Sequence, residues 1–459
     1  MMAADIPDTW QMRSVESVCT RVTTGGTPSR RRPDFFVNGT IPWFKTGELK
    51  DRLLFDSEEH ITEEALESSS AKVFPANTVL MAMYGDGDTI ATLGVLRRPA
   101  ATNQACCAMM PDPDTCDWRY LFYALKHTRP ALLRVVVGGA QRNLSGTIIR
   151  QHEFPLPPLA EQKAIAAVLG ALDDKIELNR RMNATLEAMA RALFQSWFVD
   201  FDPVRAKLDG RAPFPLPVGE GQGEGASGLP AALDLATAAL FPEHLEETAL
   251  GHTPKGWEVR SLDQTAHYLN GLALQKYPPG DGPTLPVIKI AQLRKGDSVG
   301  ADRCNTDLRP EYIVQDGDVL FSWSGSLEVE LWCGGPGALN QHLFKVTSPE
   351  FPKWFYYLWT LYHLDEFRLI AADKATTMGH IQRGHLTAAK VLIPPRALLD
   401  AMTRTMSPLI DQLIANRVQS RTLATLRDTL LPKLLSGELS VAAATCKQEL
   451  QVQLGATKP

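Results

Sequence analysis

The chain has 459 residues, 44% hydrophobic and 22% charged, with a net charge of −5. That length is a soft prior for two to four domains, and the composition is that of a globular protein able to bury substantial cores. The acidic balance excludes a wholly basic nucleic-acid coat but not local basic surfaces, because DNA responds to the face that meets it.

No stretch reaches the roughly 18 apolar residues of a membrane span. Met1 to Trp10 is polar and acidic, with no apolar signal region, so a cytoplasmic location is expected. The seven cysteines are scattered and form no CxxC pair. They read as free thiols rather than zinc ligands or a disulfide framework.

In chain order, residues 1–155 form a first globular part. Its Gly25 to Pro33 loop carries Arg30, Arg31 and Arg32, cations that could meet phosphates or simply form a solvated charge run. Lys45 joins them as a candidate contact. Thr78 to Met83 reads as a strand and Gly85-Asp86-Gly87-Asp88 as a turn. The turn is a fragment of a phosphate-binding pattern, but its acidic residues would repel phosphate. Asn103 and Gln104 carry amides that can read adenine edges, or that can hold a turn. Trp118 to Leu125 reads as a helix. Gln141, Arg142 and Asn143 follow Gly138-Gly139 in a polar loop suited to base or phosphate contact.

Residues 156–200 read as one long helix started by Pro157-Pro158, since proline suits a first turn but not a helix interior. Steps of four and three from Ile165 through Leu169, Leu172 and Ile176 to Trp197 trace a heptad seam of about four repeats. Residues 201–253 have linker composition around Pro213 to Pro217 and Gly219 to Gly228, with a short helix near Ala231 to Leu240.

The second globular part, residues 254–393, again mixes short strands (Val319 to Trp323) with an aromatic helix (Trp354 to Leu364). Lys289, Gln292, Arg294 and Lys295 make a basic patch, either DNA-contacting or merely solvated. Asn340 and Gln341 repeat the earlier amide pair, and Thr376 to His380 is the counterpart of the Gln141 loop. A second long helix, residues 394–437, follows Pro394-Pro395 and stops at Ser436-Gly437. Its seam runs from Met402 through Leu413 to Leu434. A tail, 438–459, is expected to fray after Val441.

The chain is therefore a duplication. The offset that superposes the two Pro-Pro pairs also carries Asp174 onto Asp411, Asn179 onto Asn416 and Leu193 onto Leu430 without a gap. Carried backward, it sets Asn103-Gln104 on Asn340-Gln341. Further upstream, a few insertions or deletions are needed to match Trp10 to Ser14 with Trp257 to Ser261. Both seams turn polar at the same point, Asn179 and Asn416, the device that fixes register in helix pairs.

Catalytic signatures are missing. The sequence holds no P-loop, no dinucleotide-binding fingerprint after a strand and no Asn/Asp-Pro-Pro-Tyr/Phe of an adenine methyltransferase. Its ten histidines show no HExxH spacing. Asp173-Asp174-Lys175 lies on the helix and reads as a solvated face rather than a metal nuclease centre.

Phe154-Pro155-Leu156-Pro157-Pro158-Leu159-Ala160-Glu161-Gln162, with the Leu172 to Ile176 helix, resembles a recognition domain running into the helix of a type I restriction–modification specificity subunit. Pro254-Lys255-Gly256-Trp257 and Leu430 to Leu439 resemble the start of the second recognition domain and the last helix of that family. Arg396 to Thr403 departs from it by lacking the Glu161-Gln162 pair. The resemblance implies an α+β fold, with two recognition domains related by a pseudo-twofold axis and separated by two antiparallel helices forming a coiled coil. Each domain would read half of a split double-stranded DNA target. The helices would set the spacing and dock two modification subunits, which a restriction subunit can join. The chain itself would bind no cofactor and no metal; S-adenosylmethionine, ATP and Mg would belong to its partners. The rival readings are a coiled-coil scaffold that binds only proteins and an enzyme active on its own.

Overall fold

The computed structural model describes residues 7–85, 89–135, 143–210, 235–373 and 379–441. The chain divides into two compact units, Met1–Lys175 with Leu423–Pro459, and Ile176–Thr422. Each long helix is shared between them.

The first unit begins with β1 (Gln11–Ser14), β2 (Cys19–Thr24), β3 (Ile41–Phe44), β4 (Arg52–Leu54), β5 (Glu59–Ile61) and a short helix, α1 (Glu63–Glu67). Then come β6 (Val73–Phe74), β7 (Val79–Ala82), β8 (Leu93–Leu96), β9 (Ala100–Thr102) and β10 (Cys106–Pro111). Helices α2 (Trp118–Val135) and α3 (Gly146–Gln151) and strand β11 (Glu153–Leu156) lead into the long helix α4 (Leu159–Phe198). The strands form a β1-β11 pair, a five-stranded sheet β2-β10-β7-β8-β4 and a four-stranded sheet β5-β3-β9-β6. Every residue of β7 is buried, as expected of a short continuous apolar run.

The second unit receives the end of α4. It continues with α5 (Asp202–Leu208), α6 (Leu235–Leu240) and a hairpin of β12 (Leu245–Thr248) and β13 (Gly251–Pro254). Next are β14 (Glu258–Ser261), α7 (Leu262–Thr265), β15 (His267–Asn270), β16 (Thr284–Ile288), α8 (Ile290–Lys295), β17 (Arg303–Asn305) and β18 (Ile313–Val314). They are followed by β19 (Val319–Ser322), β20 (Val329–Leu331), β21 (Gly337–Leu339) and β22 (Leu343–Thr347). The unit ends with α9 (Lys353–Tyr362), α10 (Leu364–Asp373), α11 (Arg383–Ala388), β23 (Lys390–Ile393) and α12 (Arg396–Leu435).

The duplication extends to topology. β14 pairs with β23 as β1 pairs with β11. The order β15-β22-β19-β20 repeats β2-β10-β7-β8, and β17-β16-β21-β18 repeats β5-β3-β9-β6. Even the single parallel contact inside the last sheet recurs, β3 with β9 and β16 with β21.

Both long helices have 40 residues, about 60 Å of helix. Each starts directly after its Pro-Pro pair, and the second ends before Gly437, whose φ of 76° suits glycine. Within the first unit, Ile165, Leu169 and Leu172 of α4 share a core with Leu430, Leu434 and Leu435 of α12. Within the second, the helices again run antiparallel, and the seam is polar. Asn179 Nδ2 donates to Gln419 Oε1 at 2.9 Å and to the Asn416 carbonyl at 3.3 Å. Asn416 Nδ2 donates to Asn183 Oδ1 at 2.9 Å. All three asparagines are buried.

Several expectations change. The seam at Leu193 and Trp197 does not face a partner helix alone; it joins a core with Trp257, Trp354 and Trp359. The helix read at Trp118 to Leu125 extends to Val135. The one read at Trp354 to Leu364 is two helices, broken at His363, whose Nε2 lies 2.9 Å from the Lys390 carbonyl. The supposed linker carries α5 and a hairpin as well as α6, because Phe201 and Phe241 stack around Trp257. Of the expected solvated pair, Asp174 is exposed and Asp173 is half-buried. Asp173 is paired with Arg427 at 2.5 Å and accepts from Tyr123 Oη at 2.6 Å, and Asp174 holds Arg119 at 2.8 Å. The expected turn at Asp86 to Asp88 and the tail beyond Val441 lie outside the described residues.

Candidate nucleic-acid interface

In each unit four loops are tied together along one edge by matching backbone bonds. The segment after β2 meets the end of β9: the Gly26 N–H donates to the Thr102 carbonyl at 2.9 Å, as Leu272 N–H does to Leu339 at 2.9 Å. A Cβ on Gly25 would lie 2.2 Å from the Thr102 oxygen, and one on Gly271 2.2 Å from the Asn340 oxygen, so both positions require glycine. The loop after β7 is bound to the segment before α3 by Leu144 N–H to the Met83 carbonyl, 2.7 Å. Ile381 N–H to Trp323, 3.0 Å, repeats this bond. Isolated bridges pair Tyr84 with Asn143 and Ser324 with His380.

The expected cations at this edge are mostly engaged. Arg30 lies over the rings of Phe36 and Trp43 and pairs with Glu59 at 2.5 Å. Lys45 reaches the same carboxylate at 2.8 Å, and these two cations hold Glu59 down at about 2. Arg32 pairs with Asp34 at 2.5 Å and Glu64 at 2.9 Å, and lies over Phe35. Arg31 is exposed and has no ion pair among the described residues. In the second unit Lys289 pairs with Asp302, Lys295 with Asp297 at 3.4 Å and Arg294 with Glu328 at 4.0 Å. Lys276, which sequence reading missed, is exposed and without an ion pair among the described residues. It stands five residues after Gly271, as Arg30 does after Gly25. Aligning the two glycines would have found it.

The amides separate by role. Asn340 is buried, and its Oδ1 accepts from His342 N–H at 3.2 Å. That bond builds a turn, one of the two roles the sequence left open for this amide. Asn103 sits at the matching turn, with its Oδ1 buried and without a hydrogen-bond partner among the described residues. Gln104 is exposed and accepts from the Thr27 hydroxyl. Gln341 is half-buried, its Nε2 3.3 Å from His342 Nε2; His342 Nδ1 lies 2.9 Å from Ser324 Oγ. Trp323 packs beside both His342 and His380. Asn143 is exposed. Gln141, Arg142 and Thr376 to Met378 lie outside the described residues.

No group of three or more His, Cys, Asp or Glu able to hold a metal ion occurs among the described residues. No described helix is long and apolar enough to cross a membrane. The described cysteines are unpaired, and burial raises Cys19 and Cys107 to about 12.

The sequence matches the type I restriction modification DNA specificity domain over residues 7–188 and 254–420, one match for each copy. The chain belongs to the type I restriction–modification DNA specificity family. It is 26% identical, over 95% of both chains, to the specificity subunit of the type I restriction enzyme MjaIX of Methanocaldococcus jannaschii. It is 25% identical to that of HindI of Haemophilus influenzae, across 62% of this chain and 68% of that one. The fold is similar to that of the type I restriction–modification S subunit of M. genitalium, with a TM-score of 0.54 at 14% identity, covering 95% of this chain and 97% of that one. As a specificity-family chain it serves in choosing a DNA target. Along the loop edge, the side chains of the two copies differ on a repeated backbone.

Proposed function

We propose that the chain is the non-catalytic DNA-reading subunit of a cytoplasmic type I restriction–modification complex. One unit reads each half of a bipartite double-stranded target. The observation that carries this reading is the repeated frame with unlike loop edges, which suits two different half-sites. In this reading Arg31 and Lys276 meet phosphate, since neither is paired with a carboxylate among the described residues. The buried Asn179, Asn183 and Asn416 fix the register of the helix pair, which sets the gap between half-sites and docks the modification and restriction subunits. S-adenosylmethionine, ATP and Mg are used by those partners.

The test is DNA affinity of the chain with its modification partner across a salt series. Affinity for one sequence should fall steeply as salt rises, because bound cations release counterions. A protein-only scaffold would bind no DNA at any salt concentration, and that result would end this reading.

A further inference from the structure

Resting on the DNA-recognition reading, we propose that specificity is set by two matched sets of side chains, Tyr84, Gln104 and Asn143 in the first unit and Gln341, His342 and His380 in the second.

Each set hangs on the same backbone frame, the turn after β9 or β21 and the bridge between the loop after β7 or β19 and the segment before α3 or α11. That frame is rigid for identifiable reasons: two glycines that no other residue can replace, and backbone bonds that recur in both units. A reading head needs such rigidity, because base discrimination is lost when a side chain can shift to suit the wrong base.

Chemistry then separates the sets. In the first unit Gln104 and Asn143 are exposed amides, and Tyr84 is 37% exposed. Gln104 is oriented by the Thr27 hydroxyl, and the Tyr84 hydroxyl lies 3.4 Å from the Gln104 carbonyl. Amides in a fixed orientation suit the adjacent donor and acceptor of an adenine edge. In the second unit Ala105 is replaced by His342, which links Ser324 to Gln341, and Asn143 by His380 beside Trp323. Both ring nitrogens of His342 are engaged, by Ser324 and by Gln341, so His342 fixes the Gln341 amide, while His380 puts an imidazole beside an indole where the first unit has the Asn143 amide. The same frame therefore offers different hydrogen-bonding patterns to the major groove. Arg30 and Arg32 are left out of the reading sets, since both are held by carboxylates and rings.

The experiment uses the complex of the full chain with its modification partner and reads the methylated sequence across a random DNA library. Gln104→Ala and Asn143→Ala should each relax one position of one half-site, lowering discrimination there by tenfold or more, with the other half-site unchanged. His342→Ala and His380→Ala should relax only the other half-site. Asn143→His, a milder change on an exposed side chain, should alter the preferred base rather than abolish binding. Lys255→Ala, on an exposed residue away from the edge, should leave both half-sites as they were. If the native complex selects a sequence and the four alanine variants keep that selection, the assignment is overturned while the DNA-recognition reading stands. If the native complex shows no sequence preference, both fall.

Discussion

Trp10 and Trp257 hold the same place in the two units, but their indole N–H groups end differently. Trp10 Nε1 donates to Glu161 at 3.1 Å. In the second unit the place of Glu161 is taken by Leu398, and Trp257 Nε1 is buried without a partner among the described residues. The neighbouring position diverges in the same way. Gln162 is buried, accepts from Asp117 N–H at 3.0 Å, and donates to Thr115 and Pro157 carbonyls at 3.1 and 2.8 Å. Its counterpart is Leu399, sunk in the apolar core. The backbone around both junctions is nevertheless the same: Val15 N–H meets the His152 carbonyl at 3.0 Å, and Leu262 N–H meets that of Ala389 at 2.9 Å. Backbone pairing and apolar periodicity carry the frame, so polar detail is free to diverge on it. In the proposed reading, the loop edges use the same freedom to meet two different half-sites.

The largest effect should come from the aromatic end of α4, where the second unit has a ring cluster that the first lacks at the matching place. Phe198 packs against Trp257, Trp354, Phe355 and Trp359, whereas the matching position of α12 in the first unit is Leu435. Phe198→Ala should lower the unfolding free energy by about 3–5 kcal/mol in denaturant titration. A loss under 1 kcal/mol would mean the stack is not what holds this end.

Converting the first junction into the second comes next. Gln162→Leu strands one N–H and two carbonyls, and should cost about 1–3 kcal/mol even though leucine is native at the matching site. Glu161→Leu removes one bond from Trp10 and should cost only about 1 kcal/mol, the state the second unit already tolerates. Equal costs for the two changes would show that the junctions are not built as described.

The units should also respond differently to acid. His152, with Nε2 2.8 Å from Thr128 Oγ1, is pushed by burial from 6.5 down to about 4. Its counterpart is Ala389. Because the folded value lies below the unfolded one, the unfolded chain takes up the proton first. The stability of the neutral ring is complete above pH 6.5 and is lost as pH falls toward 4. Native-state hydrogen exchange should show first-unit amides losing protection over that window, and His152→Ala should flatten that part of the slope.

The smallest effect belongs to single phosphate contacts. Arg31→Ala should weaken DNA binding evenly across sequences and reduce the salt slope by about 1. Arg32→Ala, removing a cation already paired with Asp34 and Glu64, should leave the slope unchanged.

The duplication and the helices were readable in the sequence because their signals are local: a Pro-Pro start, a heptad seam and a Ser-Gly stop. The edge was only partly readable. Arg30, Arg31 and Arg32 look equivalent as a run, yet the acids that occupy Arg30 and Arg32 include Glu59 and Glu64, in a later strand and helix. Asn103 and Asn340 repeat because the turn repeats, which no composition rule separates from a repeated contact. Lys276 escaped notice because Gly271, which marks its place, is matched only once the strands are paired.

In the proposed reading, each unit reads its own half-site through its own loop edge. Exchanging residues 8–155 for the recognition domain of another specificity chain, and sequencing the DNA that the resulting complex methylates, tests this most directly. The account predicts that one half-site changes while the other half-site and the gap between them stay as they were. A change in both half-sites, or in neither, would contradict it.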